Sequence, residues 1–252
     1  MSSISETLEA NVREIVIDRP KVRNAFDEAT YHALAEALER AQNDPQTRVV
    51  FLRGAGEHFC AGQDLSEMAA PKQEGGVIGF ERLLDALVAL DVPVVTAVRG
   101  SAVGLGTTML LHTDVNLIGD DAKFRCPFVP LGVVPEAGSS ALLVARLGYA
   151  KTAEFLFTGR VMSPEEAVAA GLGVAVLPAD QVVAHAREVA RRIAEGPPNS
   201  LRLTKRLLRD GERDAIAAAR AREVEAFRVQ LGSPENLEAI RAFFDKRKPR
   251  FD

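Results

Sequence analysis

Cysteine is nearly missing from this sequence. The 252 residues include two, Cys60 and Cys126, and neither has a Cys or His neighbour at metal-ligand spacing, so no metal centre is indicated. Isolated thiols of this kind fit reduced, buried small hydrophobes in a cytosolic protein. An excess of one charge is also lacking. The 31 Lys and Arg against 35 Asp and Glu give a net charge of −4; the arginines are scattered, which argues against a nucleic-acid footprint. No apolar run is long enough for a membrane span, because Leu83 to Val98 is broken by Asp85, Asp91 and Pro93. Met1 to Glu6 has neither a basic region nor an apolar core, so no signal peptide is expected. Lys248 to Asp252 carries no peroxisomal tripeptide, and a cytoplasmic location follows as the expectation.

Common catalytic motifs are absent as well. Gly104-Leu105-Gly106 lacks the third glycine of a dinucleotide fingerprint, and there is no GxxxxGK[ST] phosphate loop or Gly-x-Ser-x-Gly elbow. No Ser/His/Asp set stands out. His32 and His185 fall mid-helix, His58 reads as a loop residue, and His112 reads as a helix-end residue that favours the helix dipole.

What is present describes a full core: 47% of residues are hydrophobic and 26% charged. Val12 to Asp18 predicts a strand, and Asp27 a helix N-cap with apolar residues at helical spacing to Ala41. Val49 to Leu52 and Val92 to Val98 read as strands buried on both faces, with a helix from Phe80 to Leu90 between them. A helix from Leu105 to His112 and a strand from Val115 to Ile118 follow. The alternation predicts parallel strands covered by helices. Ser163-Pro164-Glu165-Glu166 is a capping box. Helices are then predicted over Ala179–Glu195, Ser200–Arg209, Glu212–Gln230 and Pro234–Lys246. The Gly196-Pro197-Pro198-Asn199 linker divides an α/β core (1–195) from a helical region (196–252). The apolar stripe of the last helices calls for docking on this chain or a neighbour, which favours an oligomer.

Two segments could offer backbone donors to an anion: Phe59-Cys60-Ala61-Gly62-Gln63-Asp64-Leu65, and Gly100-Ser101-Ala102-Val103-Gly104-Leu105-Gly106. Both follow predicted strands, where ligands bind in open α/β sheets, although either alone fits a plain turn. The third feature is Glu136, in Leu131-Gly132-Val133-Val134-Pro135-Glu136-Ala137-Gly138. A carboxyl among Leu131, Val133 and Val134 is poorly solvated and has its pKa raised towards general-base range. An acid stabilised at the start of a helix over Ala137 to Leu147 fits the same residues.

Asp18-Arg19-Pro20 with Asn24-Ala25, then the two glycine segments in that order and spacing, resemble the crotonase (enoyl-CoA hydratase/isomerase) superfamily over essentially the whole chain, including Phe243 to Phe251. The resemblance implies an α/β crotonase-like spiral of ββα units with a C-terminal helical trimerisation region, and a homotrimer or hexamer. It implies a coenzyme A thioester substrate, with no separate cofactor and no metal. The oxyanion hole would be the N–H groups of Gln63 and Leu105, beside Gly62 and Gly104. Ala61 would face the adenine end of CoA, Asp64 would brace its loop, and Lys246 would reach CoA phosphates of a neighbouring subunit.

Family hydratases carry glutamates where this chain has Thr108 and Phe128. Glu136 instead resembles the acid of Δ3,Δ2-enoyl-CoA isomerases of the yeast and peroxisomal type. That placement implies a double-bond shift from 3-enoyl-CoA to trans-2-enoyl-CoA, with Phe128, Val133 and Leu105 excluding water. Hydration or another crotonase reaction, and a non-catalytic acyl-CoA-binding scaffold, are the alternatives. The acyl pocket is expected around Glu67 to Val77, a segment of loop character.

Overall fold

A computed structural model describes residues 3–68 and 78–251. Most of the stretch expected to shape the acyl pocket, residues 69–77, lies outside the described residues, as do residues 1, 2 and 252. Among the described residues the strands are β1 Ile4–Glu9, β2 Val12–Ile17, β3 Val49–Gly54, β4 Val94–Val98, β5 Ser101–Val103, β6 Val115–Gly119, β7 Lys123–Arg125, β8 Val161–Met162 and β9 Ala175–Leu177. A six-stranded sheet runs β1-β2-β3-β4-β6-β9, and a three-stranded sheet runs β5-β7-β8.

The expected parallel alternation holds from β2 to β9 in the large sheet. It fails at the edges. β1 pairs antiparallel with β2 through a two-residue turn, Ala10-Asn11, with φ of 49° and 62°. That is the geometry of a primed hairpin turn, but without the glycine that marks one in sequence. The small sheet, with β7 and β8 antiparallel, escapes a periodicity reading because its strands are only two or three residues long.

The helices are α1 Glu28–Asn43, α2 Leu65–Met68, α3 Ile78–Ala89, α4 Leu105–Thr108, α5 Ser139–Leu147, α6 Tyr149–Thr158, α7 Pro164–Ala169, α8 Val182–Ala194, α9 Pro198–Asp210, α10 Arg213–Gln230 and α11 Pro234–Phe244. Asp27 caps α1 by accepting from Thr30 N–H, and Ser163 and Glu166 complete the capping box of α7. The helix expected over Leu105 to His112 is one α turn followed by a 3-10 turn at Met109–Leu111. Pro198 and Asn199, read as linker, form the first turn of α9, where a proline costs no hydrogen bond. The helix expected from Ala137 begins at Ser139, so Glu136 lies before it in a turn.

Alternation along β3 divides the core. Val50 and Leu52 join α1 and α3 through Leu34, Leu38, Leu83 and Leu87. Val49 and Phe51 face the opposite side, against Val182, Ala186, Ala190 and Ala194 of α8. The i, i+4 spacing of those alanines makes a narrow stripe that lets α8 lie close to the sheet. Burial on both faces is what the unbroken apolar run required. Beyond the carboxyl ends of β3 and β4 the chain turns into the two glycine segments.

Candidate active site

The two glycine segments run side by side. Cys60 N–H donates to Ser101 O (2.9 Å), and Val103 N–H donates back to Cys60 O (2.9 Å). Gly62 has φ +84°, and a Cβ there would meet Val103 O at 2.5 Å and Gly104 Cα at 3.7 Å; a Cβ on Gly106 would meet Cys60 O at 2.3 Å. These glycines permit a backbone approach that no side chain allows. Gln63 and Leu105, the next residues along, are thereby brought together. Phe26 pairs around Gln63 through Gly62 O and Asp64 N–H. This leaves the Gln63 N–H without an acceptor among the described residues. Leu105 N–H is likewise unpaired, because it opens α4 and no preceding turn can accept it.

Side chains fix this backbone. Buried Asn24 accepts Arg19 N–H (2.9 Å) and donates to Ala55 O (3.0 Å) and His58 O (2.6 Å). Ala61 N–H donates to Arg23 O (3.0 Å). His58 Nδ1 accepts Ser101 N–H (3.1 Å), so this histidine joins the two segments. Asp64 accepts from the N–H and hydroxyl of Ser66 and sits 3.6 Å from Arg19, which is the bracing arrangement expected of it. Tyr31 Oη, fully buried, donates to Gln63 Oε1 (2.7 Å) and fixes that side chain.

Glu136 closes the constellation. Thr108 Oγ1 lies 3.5 Å from Glu136 Oε1, a long contact that puts the carboxyl one helical turn beyond Leu105. Glu136 is half-buried, and the loss of solvation at its carboxyl pushes the pKa up to about 8; the like charge of Glu223 adds to this, Thr108 opposes it, and Glu81 adds a smaller repulsion. Phe128, Val133 and Leu105 are all buried in the adjoining apolar cluster. Cys60 and Cys126 are buried thiols; loss of solvation raises Cys60 to about 12 and Cys126 further, so neither is a nucleophile at neutral pH.

His112 corrects an expectation. It does not serve the helix dipole as a cation. Its ring is buried, Nε2–H donates to Ala137 O (2.7 Å), and desolvation lowers its pKa to about 4. Glu223, on α10, accepts Gly138 N–H (2.6 Å) and Ser140 N–H (2.8 Å). Sequence reasoning missed both contacts, since neither residue is near Glu136 in the chain. Lys246 is exposed, follows the end of α11, and has no ion-pair partner among the described residues. It is the one proposed site residue that the single chain does not join to the others. Two surface hollows, of about 540 Å³ beside α1 and about 270 Å³ beneath α9, lie away from Glu136.

Paired amides beside a poorly solvated carboxyl suit proton transfer next to a carbonyl whose oxygen gains charge. The sequence pattern described as Enoyl-CoA hydratase/isomerase matches residues 7–252. The chain belongs to the enoyl-CoA hydratase/isomerase family. Among members of this family, the carnitinyl-CoA dehydratase of Proteus mirabilis is 36% identical over 257 residues, with 99% of this chain and 98% of that one covered. An enoyl-CoA delta isomerase 2 of Rattus norvegicus is 33% identical; 97% of this chain covers 63% of it. Other enoyl-CoA hydratase/isomerase relatives are named hydratases, including the short-chain-enoyl-CoA hydratase of Clostridium acetobutylicum. A solved enoyl-CoA hydratase/isomerase from Pseudoalteromonas atlantica superposes with a TM-score of 0.94 at 39% identity, covering 99% of this chain and all of that one. The crotonase-like α/β fold with a C-terminal helical region is therefore established, whereas these relatives give no special place to the yeast and peroxisomal isomerases.

Proposed function

We propose that this family member shifts the double bond of a 3-enoyl-CoA to trans-2-enoyl-CoA, with Glu136 as the single proton carrier. Glu136 in its ionised form takes a proton from C2. The N–H groups of Gln63 and Leu105 hold the thioester oxygen as it becomes an enolate oxygen. Glu136 then returns the proton at C4. Phe128, Val133 and Leu105 keep water from the intermediate. The acyl-CoA substrate also follows from the family. Ala61, Gly62 and Gly104 would line the thioester and adenine path, and Lys246 would act from a neighbouring subunit. A homotrimer or hexamer fits the exposed Leu203, Leu207 and Leu208 of α9 and Phe243 and Phe244 of α11. A cytoplasmic setting belongs to the same reading.

The observation that carries this reading is that Glu136 is the carboxyl Thr108 touches; the family resemblance implies that Thr108 and Phe128 stand where hydratases have acids. Isomerisation needs one movable proton, whereas hydration needs water activation as well as α-carbon protonation. The names of the relatives favour a second reading, hydration or dehydration with Glu136 as its one acid.

Purified protein incubated separately with 3-enoyl-CoA and 2-enoyl-CoA, with chromatographic analysis of products, separates the two. The first reading expects 2-enoyl-CoA from the first substrate, lost in Glu136→Gln. Formation of 3-hydroxyacyl-CoA from 2-enoyl-CoA, at a rate matching or exceeding isomerisation, would replace it with the second.

A further inference from the structure

Helix α10 lies in the C-terminal helical region, yet one of its side chains ends at the turn that carries Glu136. Glu223 is 6% exposed, and its two oxygens accept the N–H groups of Gly138 and Ser140. These donors open α5, where the helix itself supplies no acceptor, and a carboxylate there also suits the helix dipole. From the opposite direction His112 holds Ala137 O. The turn needs such support. Ala137 and Gly138 are consecutive left-handed residues, with φ of 60° and 72°. An alanine persists in that conformation only where its surroundings impose it.

We propose that Glu223 is a positioning residue for Glu136: it locks the backbone of residues 137–140 so that the carboxyl just before them faces Thr108 and the amide pair. The proposal rests on Glu136 being the proton carrier. It makes α10 part of the catalytic apparatus rather than only a surface for assembly.

The charge of Glu223 has a second effect. After burial, it is the largest cause of the raised Glu136 pKa. The other groups around the acid leave that effect unneutralised. Arg220, one turn from Glu223, is engaged with Glu81 (3.1 Å) and Asp85 (2.7 Å) of α3. Glu81 itself adds repulsion, and α4 offers only the Thr108 hydroxyl. Burial keeps His112, Tyr31, Cys60 and Cys126 uncharged at neutral pH. Arg146 lies in the far turn of α5. Neither Glu136 nor Glu223 has an ion-pair partner among the described residues. Glu223 therefore makes ionised Glu136 a stronger base while holding it in place.

The test titrates the Glu136 carboxyl directly by carbon-13 NMR in full-length protein, assigned through Glu136→Gln, and pairs this with kcat and KM on a 3-enoyl-CoA. Glu223→Gln keeps the shape and removes the charge. It should lower the Glu136 midpoint by about one unit and kcat by about tenfold or more, with KM changed by less than about threefold. Glu223→Asp keeps the charge but cannot span both amides; it should retain most of the raised midpoint and still lose kcat. A folded Glu223→Gln protein with an unmoved midpoint and wild-type kcat would overturn the proposal, whatever its melting temperature. If Glu223→Gln does not fold, wild-type kcat in Glu223→Asp would do the same. Should the wild-type protein isomerise nothing, the NMR midpoints still decide whether Glu223 acts on Glu136, separately from the fate of the proposed reaction.

Discussion

The amide pair and the acid turn are built by opposite strategies. Gln63 and Leu105 are placed chiefly by local backbone: two parallel segments, glycines that let them touch, and hydrogen bonds between near neighbours in space, with the Asn24 and His58 side chains bracing the loops. Glu136 sits on a turn that its own residues disfavour, and it is held by His112 and Glu223, 24 and 87 positions away. The first arrangement is rigid because the sheet ends there. The second depends on groups whose protonation and packing are set elsewhere, so it is the more easily disturbed. If the comparison is right, damage to the acid should remove chemistry and leave binding, damage to the pair should remove both, and only the acid should register pH.

The largest expected effect is at Glu136 itself. Glu136→Gln keeps volume and loses the movable proton. Isomerisation should fall by about 10³-fold or more, while acyl-CoA affinity changes by less than about threefold. Single-turnover kinetics with equilibrium binding would show it. Next is Gly62→Ala. The added methyl meets Val103 O at 2.5 Å at a φ of +84°, so the two segments must separate. Misplacing one oxyanion donor costs about 10²-fold or more in kcat, and here affinity should weaken too, because the thioester path is pushed apart. Retention of full activity in Gly62→Ala would mean that the amide pair is not where the charge develops.

How much of this was legible in the sequence follows the same division. The strand runs at Val49 and Val94 announce themselves locally, so most of the large sheet could be read directly, whereas either glycine segment alone fits a plain turn and Gln63 and Leu105 were indicated only through the family resemblance. Asp27 and Ser163 likewise announced their helices locally. β1 could not be read, because Ala10-Asn11 adopts a hairpin turn without glycine. The strands of the small sheet are too short for periodicity. Glu136 was recognisable as a poorly solvated acid, but nothing in a one-dimensional pattern marks Glu223 as its neighbour, since α10 reaches it only through tertiary packing. His112 misled because a histidine at the end of a helical stretch normally meets solvent, whereas here it is buried against Ala137.

The pH dependence of stability gives a finer test. Glu136 has its folded pKa raised from 4.5 to about 8. Its contribution is therefore fully present below pH 4.5 and is lost as pH rises through 8. His112 has its folded pKa lowered from 6.5 to about 4. Its contribution is present above pH 6.5 and is lost as pH falls through 4. Between pH 4.5 and 6.5 the two slopes oppose each other; between 6.5 and 8 only the loss from Glu136 remains. Glu136→Gln should remove that alkaline decline and gain roughly 2–4 kcal/mol over wild type between pH 5 and pH 9. Urea titrations across the range would show it. Parallel curves for the two proteins would mean that the carboxyl is solvated, and the contrast between its turn and the amide pair would disappear.

The smallest expected effect is at Asp64, and it guards the single-acid reading. Asp64 lies next to Gln63 and is a carboxyl close to the amide pair, so a two-acid mechanism would have to consider it. Its oxygens are already committed: one accepts the Ser66 N–H (3.1 Å) and hydroxyl (2.7 Å), and the other faces Arg19 at 3.6 Å. Arg19 has a closer partner in Asp27, at 2.8 Å. Asp64→Asn preserves an acceptor for Ser66 and gives up only the longer ion pair. It should leave kcat within about threefold and stability within about 0.5 kcal/mol, as for a long, partly exposed ion pair whose cation keeps a closer partner. A loss of about 100-fold in kcat with unchanged stability would make Asp64 a second proton carrier. The amide pair would then bring its own acid, and a two-acid hydration would gain what Thr108 and Phe128 deny it.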